Sequence, residues 1–261
     1  MRFIHLSDPH LQKDDFHLFG LDPYLRLKLA IKSINKNFKD TEFIVITGDL
    51  TESGDTKAYR KLKRIVKKSK IEVILLMGNH DNRNNFVKVF KNYPVIENYI
   101  QNTKIYNEKA FIFLDTKIEN SPSGDMSDEQ FLWFEKELLK VQDKDTYIFM
   151  HHPPMNVGIP IMDKMKFNSS KRLKLLLKKY TNIKYLFFGH LHRVVTGIWS
   201  CIPYFGIRGT NHQLSLKHSI THQYTTNEEK PAFGIVDIKD DNIVINVHEY
   251  LDEDKCYLIE E

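Results

Sequence analysis

Cysteine is almost missing from this chain of 261 residues: Cys201 and Cys256 are the only two. Two thiols so far apart cannot build a disulfide framework, and they lack the close spacing of a thiolate metal site. A reducing compartment such as the cytoplasm is the expectation. Long apolar runs are missing too. The opening stretch from Met1 to Asp8 meets charge too early to form the core of a signal peptide. No segment reaches the ~20 consecutive apolar residues of a membrane helix, so no membrane partner is expected. Charge imbalance is slight, with 38 Lys and Arg against 34 Asp and Glu and a net +4. So small an excess does not ask for a nucleic-acid polymer as partner. The basic stretch from Lys57 to Lys70 carries Leu62, Ile65 and Val66 at helical spacing, so its lysines read as the solvated face of a helix.

What is present suits a substantial core: 41% of residues are hydrophobic and 12% aromatic, and the whole length is treated as a single domain. Short β-branched or aromatic runs at Phe3 to Leu6, Glu42 to Thr47, Ile71 to Met77, Ala110 to Leu114, Thr146 to Met150 and Ile183 to Phe188 read as buried strands. Helical patterns lie between them. Asp22 and Pro23 open one that carries Leu27, Ile31, Ile34 and Phe38 on one face. Ser127 and Gln130 form a capping box for another that runs to about Val141, and Ser170 to Tyr180 reads as a third. Alternation of strand and helix implies mostly parallel pairing. After Val194 the pattern becomes strands without long helices, at Val194 to Ile198, Ile202 to Ile207, Ala232 to Ile238 and Ile243 to Glu249, which suggests a second sheet of antiparallel hairpins packed on the first. The fold class expected is α/β, two packed mixed β-sheets flanked by helices in an α-β-β-α sandwich.

Five of the early strands are each followed by a polar motif: Asp8-Pro9-His10, Gly48-Asp49, Gly78-Asn79-His80-Asp81, His151-His152 and Gly189-His190-Leu191-His192. Residues beyond the carboxyl ends of such strands converge in one crevice. Singly, most of these motifs are ordinary turns. Their occurrence in order, each after its own strand, points to a shared site. The donors are oxygen and nitrogen without sulfur: Asp8, His10, Asp49, Asn79, His151, His190 and His192. Seven are too many for one catalytic ion with an open position and suit two ions bridged by a carboxylate. The mixed donor set favours iron or manganese, with zinc or cobalt as alternatives.

These motifs resemble the calcineurin-like metallophosphoesterase superfamily, whose pattern of Asp-X-His, Gly-Asp, Gly-Asn-His-Asp, His and Gly-His-X-His is complete here and in order. The resemblance implies that Asp8, His10 and His192 hold a first metal, that Asn79, His151 and His190 hold a second, and that Asp49 bridges them. Leu18-Phe19-Gly20-Leu21-Asp22, Gly78 to Arg83, His151 to Pro154, Val157 to Asp163 and Gly209 to Gln213 are similar to the bacterial class III cyclic nucleotide phosphodiesterase and glycerophosphodiesterase branch. Pro9 departs from that branch, which more often has threonine there.

Two such ions would share a water, lower its pKa and clamp the phosphoryl oxygens for in-line hydrolysis of a small phosphodiester. His80, beside Asn79 but not needed for coordination, is placed to protonate or stabilise the leaving group, with Asp81 to orient it or keep it charged. By resemblance Asn79, His80 and His212 would meet the substrate. His152 reads as support for its loop, and His5, His17, His218, His222 and His248 as ordinary histidines. Phe19 and Tyr204 are the aromatic surfaces on offer to a base, and Arg83, Arg193 and Arg208 the cations on offer to further phosphate charge. The stretch from Met155 to Phe167 is long for a plain connection and rich in apolar residues, which suggests that it flanks the active site or forms a subunit contact; together with the resemblance it implies a homodimer or larger assembly. A phosphomonoesterase or nuclease could use the same metals. A metal-poor scaffold like the retromer subunit of this superfamily would have lost histidines that are all kept here.

Overall fold

A computed structural model describes residues 1–15, 17–216 and 225–252. In chain order the strands are β1 (Arg2–Leu6), β2 (Phe43–Ile46), β3 (Glu72–Leu75), β4 (Asn102–Tyr106), β5 (Lys109–Phe113), β6 (Thr146–Met150), β7 (Ile183–Phe188), β8 (Val195–Trp199), β9 (Ile202–Gly206), β10 (Gln213–Leu214), β11 (Thr226–Asn227), β12 (Ala232–Lys239) and β13 (Asn242–Glu249). The helices are α1 (Pro23–Asn37), α2 (Thr56–Val66), α3 (Arg83–Val89), α4 (Asp128–Lys140), α5 (Pro160–Asp163) and α6 (Ser170–Leu177).

Helix starts follow the local chemistry that the sequence announces. The Asp22 side chain accepts from the Leu25 amide ahead of α1, and Ser127 with Gln130 closes both halves of a capping box at α4. Helix α4 then buries Phe131, Phe134 and Leu138, each contributing about 1.5–3 kcal/mol by removal from water.

Two mixed sheets lie face to face. One runs β13-β12-β1-β2-β3 and the other β4-β5-β6-β7-β9-β8, while β10 and β11 form a small ribbon. The layer between the sheets is aromatic, with Phe3 and Phe43 meeting Phe111, Phe149 and Phe187. The first sheet's outer face is covered by α1 to α3 through residues such as Leu27, Leu62 and Phe86. The second sheet's outer face is covered by α4 to α6 through Phe134, Met162 and Leu173. The α-β-β-α sandwich expected from the sequence is therefore present.

The division of strands between the sheets differs from expectation. The late strands do not make a sheet of their own: β12 pairs antiparallel with β1, and β9 pairs parallel with β7. Strands β1-β2-β3 and β5-β6-β7-β9 are the parallel parts of the two sheets, and β3 is an edge of the first. Antiparallel hairpins close off an edge of each. Hydrophobic period reports that a strand is buried, not which strand it pairs with, and that is why the split escaped the sequence. Strand β4 and the seven-residue α3 escaped it too, being short and half exposed or half polar. Within the segment from Met155 to Phe167, the side chains of Met155, Ile159, Met162 and Phe167 are spent inside the chain's own core. Val157, Ile161 and Met165 of the same segment are only partly buried. No helix among the described residues is long and apolar enough to cross a membrane.

Candidate metal centre

Five strand ends deliver the candidate ligands to one place. Asp8 and His10 follow β1, Asp49 follows β2, Asn79 follows β3, His151 follows β6, and His190 and His192 follow β7. The site thus straddles the carboxyl edges of both sheets. Backbone bonds lace the loops together: the Asp8 amide donates to the Gly48 carbonyl at 3.2 Å, and the His10 amide to the Asp49 carbonyl at 2.9 Å. The His190 amide crosses between sheets to an Asp8 carboxylate oxygen at 3.1 Å.

These loops are strained where the ligands sit. Asp8, His10, Asp49, His190 and His192 all have positive φ, between 47° and 68°. That region costs a residue with a Cβ on the order of 1–3 kcal/mol and collects at functional sites. Gly78 permits a close approach, because a Cβ there would lie 2.2 Å from Asp49 Oδ1. Sequence alone marked it as a turn; the structure makes it the space in which Asp49 fits.

Among the described residues, two groups of donor atoms contain the candidate Asp and His ligands, and two further groups join His10 to His192 and His212 and to Glu52 and His80. Asp8, His10, Asp49 and His192 place ligand atoms within 4.8 Å of one another, and so do His151, His152 and His190. Asp49 joins the groups, since its Oδ2 is 3.6 Å from His10 Nε2 and 3.4 Å from His151 Nε2. Asn79 Oδ1 is 3.2 Å from His151 Nε2. All seven candidate ligands are therefore brought together.

Hydrogen bonds fix how the rings face. His10 Nδ1 donates to the Glu52 carboxylate at 2.7 Å, His151 Nδ1 to the Thr47 carbonyl at 2.6 Å, and His192 Nδ1 to the His212 carbonyl at 2.9 Å. Each bond turns Nε2 into the site, as outer partners of metal-binding histidines do. An imidazole that donates from Nδ1 and stays neutral has a lone pair on Nε2. His10 Nε2 and His192 Nε2 face each other at 3.1 Å. Two lone pairs at that distance repel unless a cation or a proton lies between them. His190 Nε2 is buried with no partner. The donor set therefore fits metal ions and has little other physical justification.

Electrostatics agree. Burial pushes the His10 and His190 imidazoles well below their ordinary range, into the neutral form that a metal needs. Burial also opposes charge on His151, but the Asp49 carboxylate outweighs it and raises His151 to about 9. Asp49 is in turn held well below the carboxylate range: burial works against its charge, and the surrounding imidazoles, His151 first, prevail. A metal entering beside Asp49 must displace the His151 proton.

His80 lies beside this cluster and is its most open ring, with its side chain 37% exposed. Its amide donates to Asp49 Oδ1 at 2.9 Å, and its Nδ1 donates to the Glu52 carbonyl at 2.9 Å. Burial disfavours a charge on it, but the carboxylates of Asp49 and Glu52 reverse the sign and raise its pKa. Asp81 is placed differently from expectation. Its oxygens accept from the amides of Leu50, Thr51 and Gly78 and from the Tyr59 hydroxyl. It clamps these loops, and the Glu52 carbonyl takes the orienting role at His80 that the sequence offered to Asp81, while the Asp81 charge still adds to the rise of the His80 pKa. Burial, with Asp49 adding, raises Asp81 to about 6.

His212 packs its ring 4.3 Å from that of His192 and 5.1 Å from that of His10. It is thus an inner-wall residue. His152 Nδ1 shares a hydrogen bond with the Thr116 hydroxyl at 2.8 Å, the loop support expected of it, yet its buried Nε2 has no partner and sits beside His190. His5 is a core residue bonded to Thr47 and edged by Phe149, Phe187 and Phe205. His218 and His222 lie outside the described residues. Glu52 was missed by sequence reasoning. It sits in an irregular loop three positions after Asp49, where no periodicity predicts which way a side chain turns.

Residues 1–194 match the calcineurin-like phosphoesterase family. The chain belongs to that family. As a calcineurin-like phosphoesterase it is a metal-dependent phosphoric ester hydrolase. The match covers every candidate ligand, and His212 lies beyond it. Among relatives, a probable cyclic nucleotide phosphodiesterase of Rhodopseudomonas palustris is 31% identical over 94% of this chain and 91% of its own length. A probable glycerophosphodiester phosphodiesterase of Arcobacter nitrofigilis is 32% identical over 83% of this chain and 81% of its own. A dimetal phosphatase from Danio rerio shares the fold, with a TM-score of 0.72 at 12% identity over 96% of both chains.

Proposed function

We propose that this phosphoesterase hydrolyses a small phosphodiester, a cyclic nucleotide such as 3′,5′-cyclic AMP or a glycerophosphodiester, at a site holding two transition-metal ions. The observation that carries the reading is the position of Asp49 Oδ2, 3.6 Å from His10 Nε2 on one side and 3.4 Å from His151 Nε2 on the other. Asp8, His10 and His192 would hold one ion, Asn79, His151 and His190 the other, and Asp49 both. Iron or manganese suits the mixed oxygen and nitrogen donors. When bound, such a pair supplies an activated water and positive charge for the phosphoryl oxygens.

The chain's own residues would do the rest. Glu52, the Thr47 carbonyl and the His212 carbonyl hold the ligand rings in register. His80, tied at Nδ1 to Glu52, has Nε2 left to give a proton or a hydrogen bond to the leaving oxygen.

Charge supply argues for a diester. A monoester carries nearly two charges at neutral pH and a diester one, so a monoesterase needs more cations than its metals. The three arginines near the motifs are already committed. Arg83 is bidentate to Asp115 and also reaches Glu119, Arg193 pairs with Glu229, and Arg208 pairs with Glu249. The relatives named as cyclic nucleotide and glycerophosphodiester phosphodiesterases support the same direction.

The test is kcat/KM for bis(p-nitrophenyl) phosphate, p-nitrophenyl phosphate, 3′,5′-cyclic AMP and glycerophosphoethanolamine with one metal-loaded preparation. At least one diester should exceed the monoester. A monoester turned over roughly ten times faster than every diester, a gap of about 1.4 kcal/mol in transition-state binding, would replace this reading with a phosphatase.

A further inference from the structure

Phe19 is the wrong residue for the turn it occupies. Leu18 and Leu21 exchange both backbone hydrogen bonds, at 2.9 and 3.1 Å, across a two-residue turn. Its two central residues, Phe19 and Gly20, have φ of 54° and 77°. Two positive φ values define the turn that favours Asn, Asp or Gly at its first position, where a bulky aromatic is an outlier. Nor does Phe19 gain burial in return, since 53% of it is exposed. Among the described residues its one ring neighbour is His212, with centroids 4.8 Å apart at 62°, and His212 in turn touches His10 and His192. An exposed, strained aromatic therefore stands one ring away from the candidate metal ligands. Tyr204, the other aromatic surface offered by the sequence, packs against Phe188 on the helix-covered side of its sheet.

We infer that Phe19 is a specificity-determining residue, a stacking platform for a planar heteroaromatic ring carried by the substrate, so that the preferred diester is a nucleotide rather than a glycerophosphodiester. Every nucleobase has a flat π-face that stacks on an aromatic side chain without needing sequence-specific hydrogen bonds. A glycerol moiety has no such face and gains nothing from Phe19. The strain held at residue 19 is then offset in the complex, where the ring is covered on its open side.

This inference rests on the diesterase reading, and its test separates the two. Phe19→Asn gives the turn the residue it favours, so the variant should fold and melt no lower than the wild type while losing the ring. Measured on metal-loaded protein, its kcat/KM for 3′,5′-cyclic AMP should fall roughly tenfold or more, mainly through KM, the size expected for one stacked base. Its kcat/KM for glycerophosphoethanolamine should be largely unchanged, and Phe19→Tyr should restore the nucleotide value. Equal loss on both substrates, or no loss on either, overturns the inference and leaves the diesterase reading standing. So does a wild type that hydrolyses glycerophosphoethanolamine in preference to cyclic AMP. A wild type that hydrolyses no diester at all sinks both.

Discussion

Asp49→Ala should strip the metal from the protein and with it the activity, a fall of roughly a thousandfold or more once no bound water is brought toward neutral pKa. The magnitude follows from where the carboxylate lies. Its Oδ2 lies between both donor groups, and its loss leaves the buried imidazoles of His10 and His151 without the carboxylate they share. Elemental analysis after desalting, run beside a turnover assay, checks the expectation. Asp49→Asn keeps the shape and should also lose metal, which separates charge from folding. An alanine variant that keeps its full metal content would remove Asp49 as the bridge.

His80→Ala should behave in the opposite way. Metal content stays, and kcat falls roughly a hundredfold or more, the usual contribution of a positioned acid or charge stabiliser. His80 reaches the cluster through its backbone amide, which the substitution preserves, and its ring hangs from the Glu52 carbonyl at the open side of the site. Metal analysis and steady-state kinetics on the same sample decide the matter. Should His80→Ala lose metal as Asp49→Ala does, the ring is a ligand or a strut and some other group serves the leaving oxygen.

Much of the site was legible in sequence because it is built from strand ends. A β-strand announces itself by composition, and the residues just past its carboxyl end have only one place to go. Asp8, His10, Asp49, Asn79, His151, His190 and His192 converge for that reason. What lies behind them depends on side-chain direction in irregular loops, and sequence carries little of that. Glu52 was invisible although it orients His10 and holds His80. Asp81 was read as the partner of His80 because the two are adjacent, but neighbouring residues on a turn point apart, and the Asp81 carboxylate faces the amides of three loop residues instead.

The fold was legible to the same depth. Helices α1 and α4 begin where their caps say, since a cap is a local bond. The partition of the strands between sheets depends on contacts such as that of Phe3 with Val236, far apart in the chain. Burial of β12 between β1 and β13 leaves the same apolar signature as burial in a sheet of its own. The same limit applied to the segment from Met155 to Phe167, whose hydrophobicity did not say which side chains enter the chain's own core, as Met155, Ile159, Met162 and Phe167 do.

The central claim is that these strand ends hold two metal ions that act as a unit. It is tested most directly by titrating metal-free protein with manganese while following both bound metal and hydrolysis of bis(p-nitrophenyl) phosphate. Activity is expected to stay near background through the first equivalent and to reach its plateau at two ions per chain, as a carboxylate shared between two metals requires. Full activity at one ion per chain, with no further gain from a second, would contradict it.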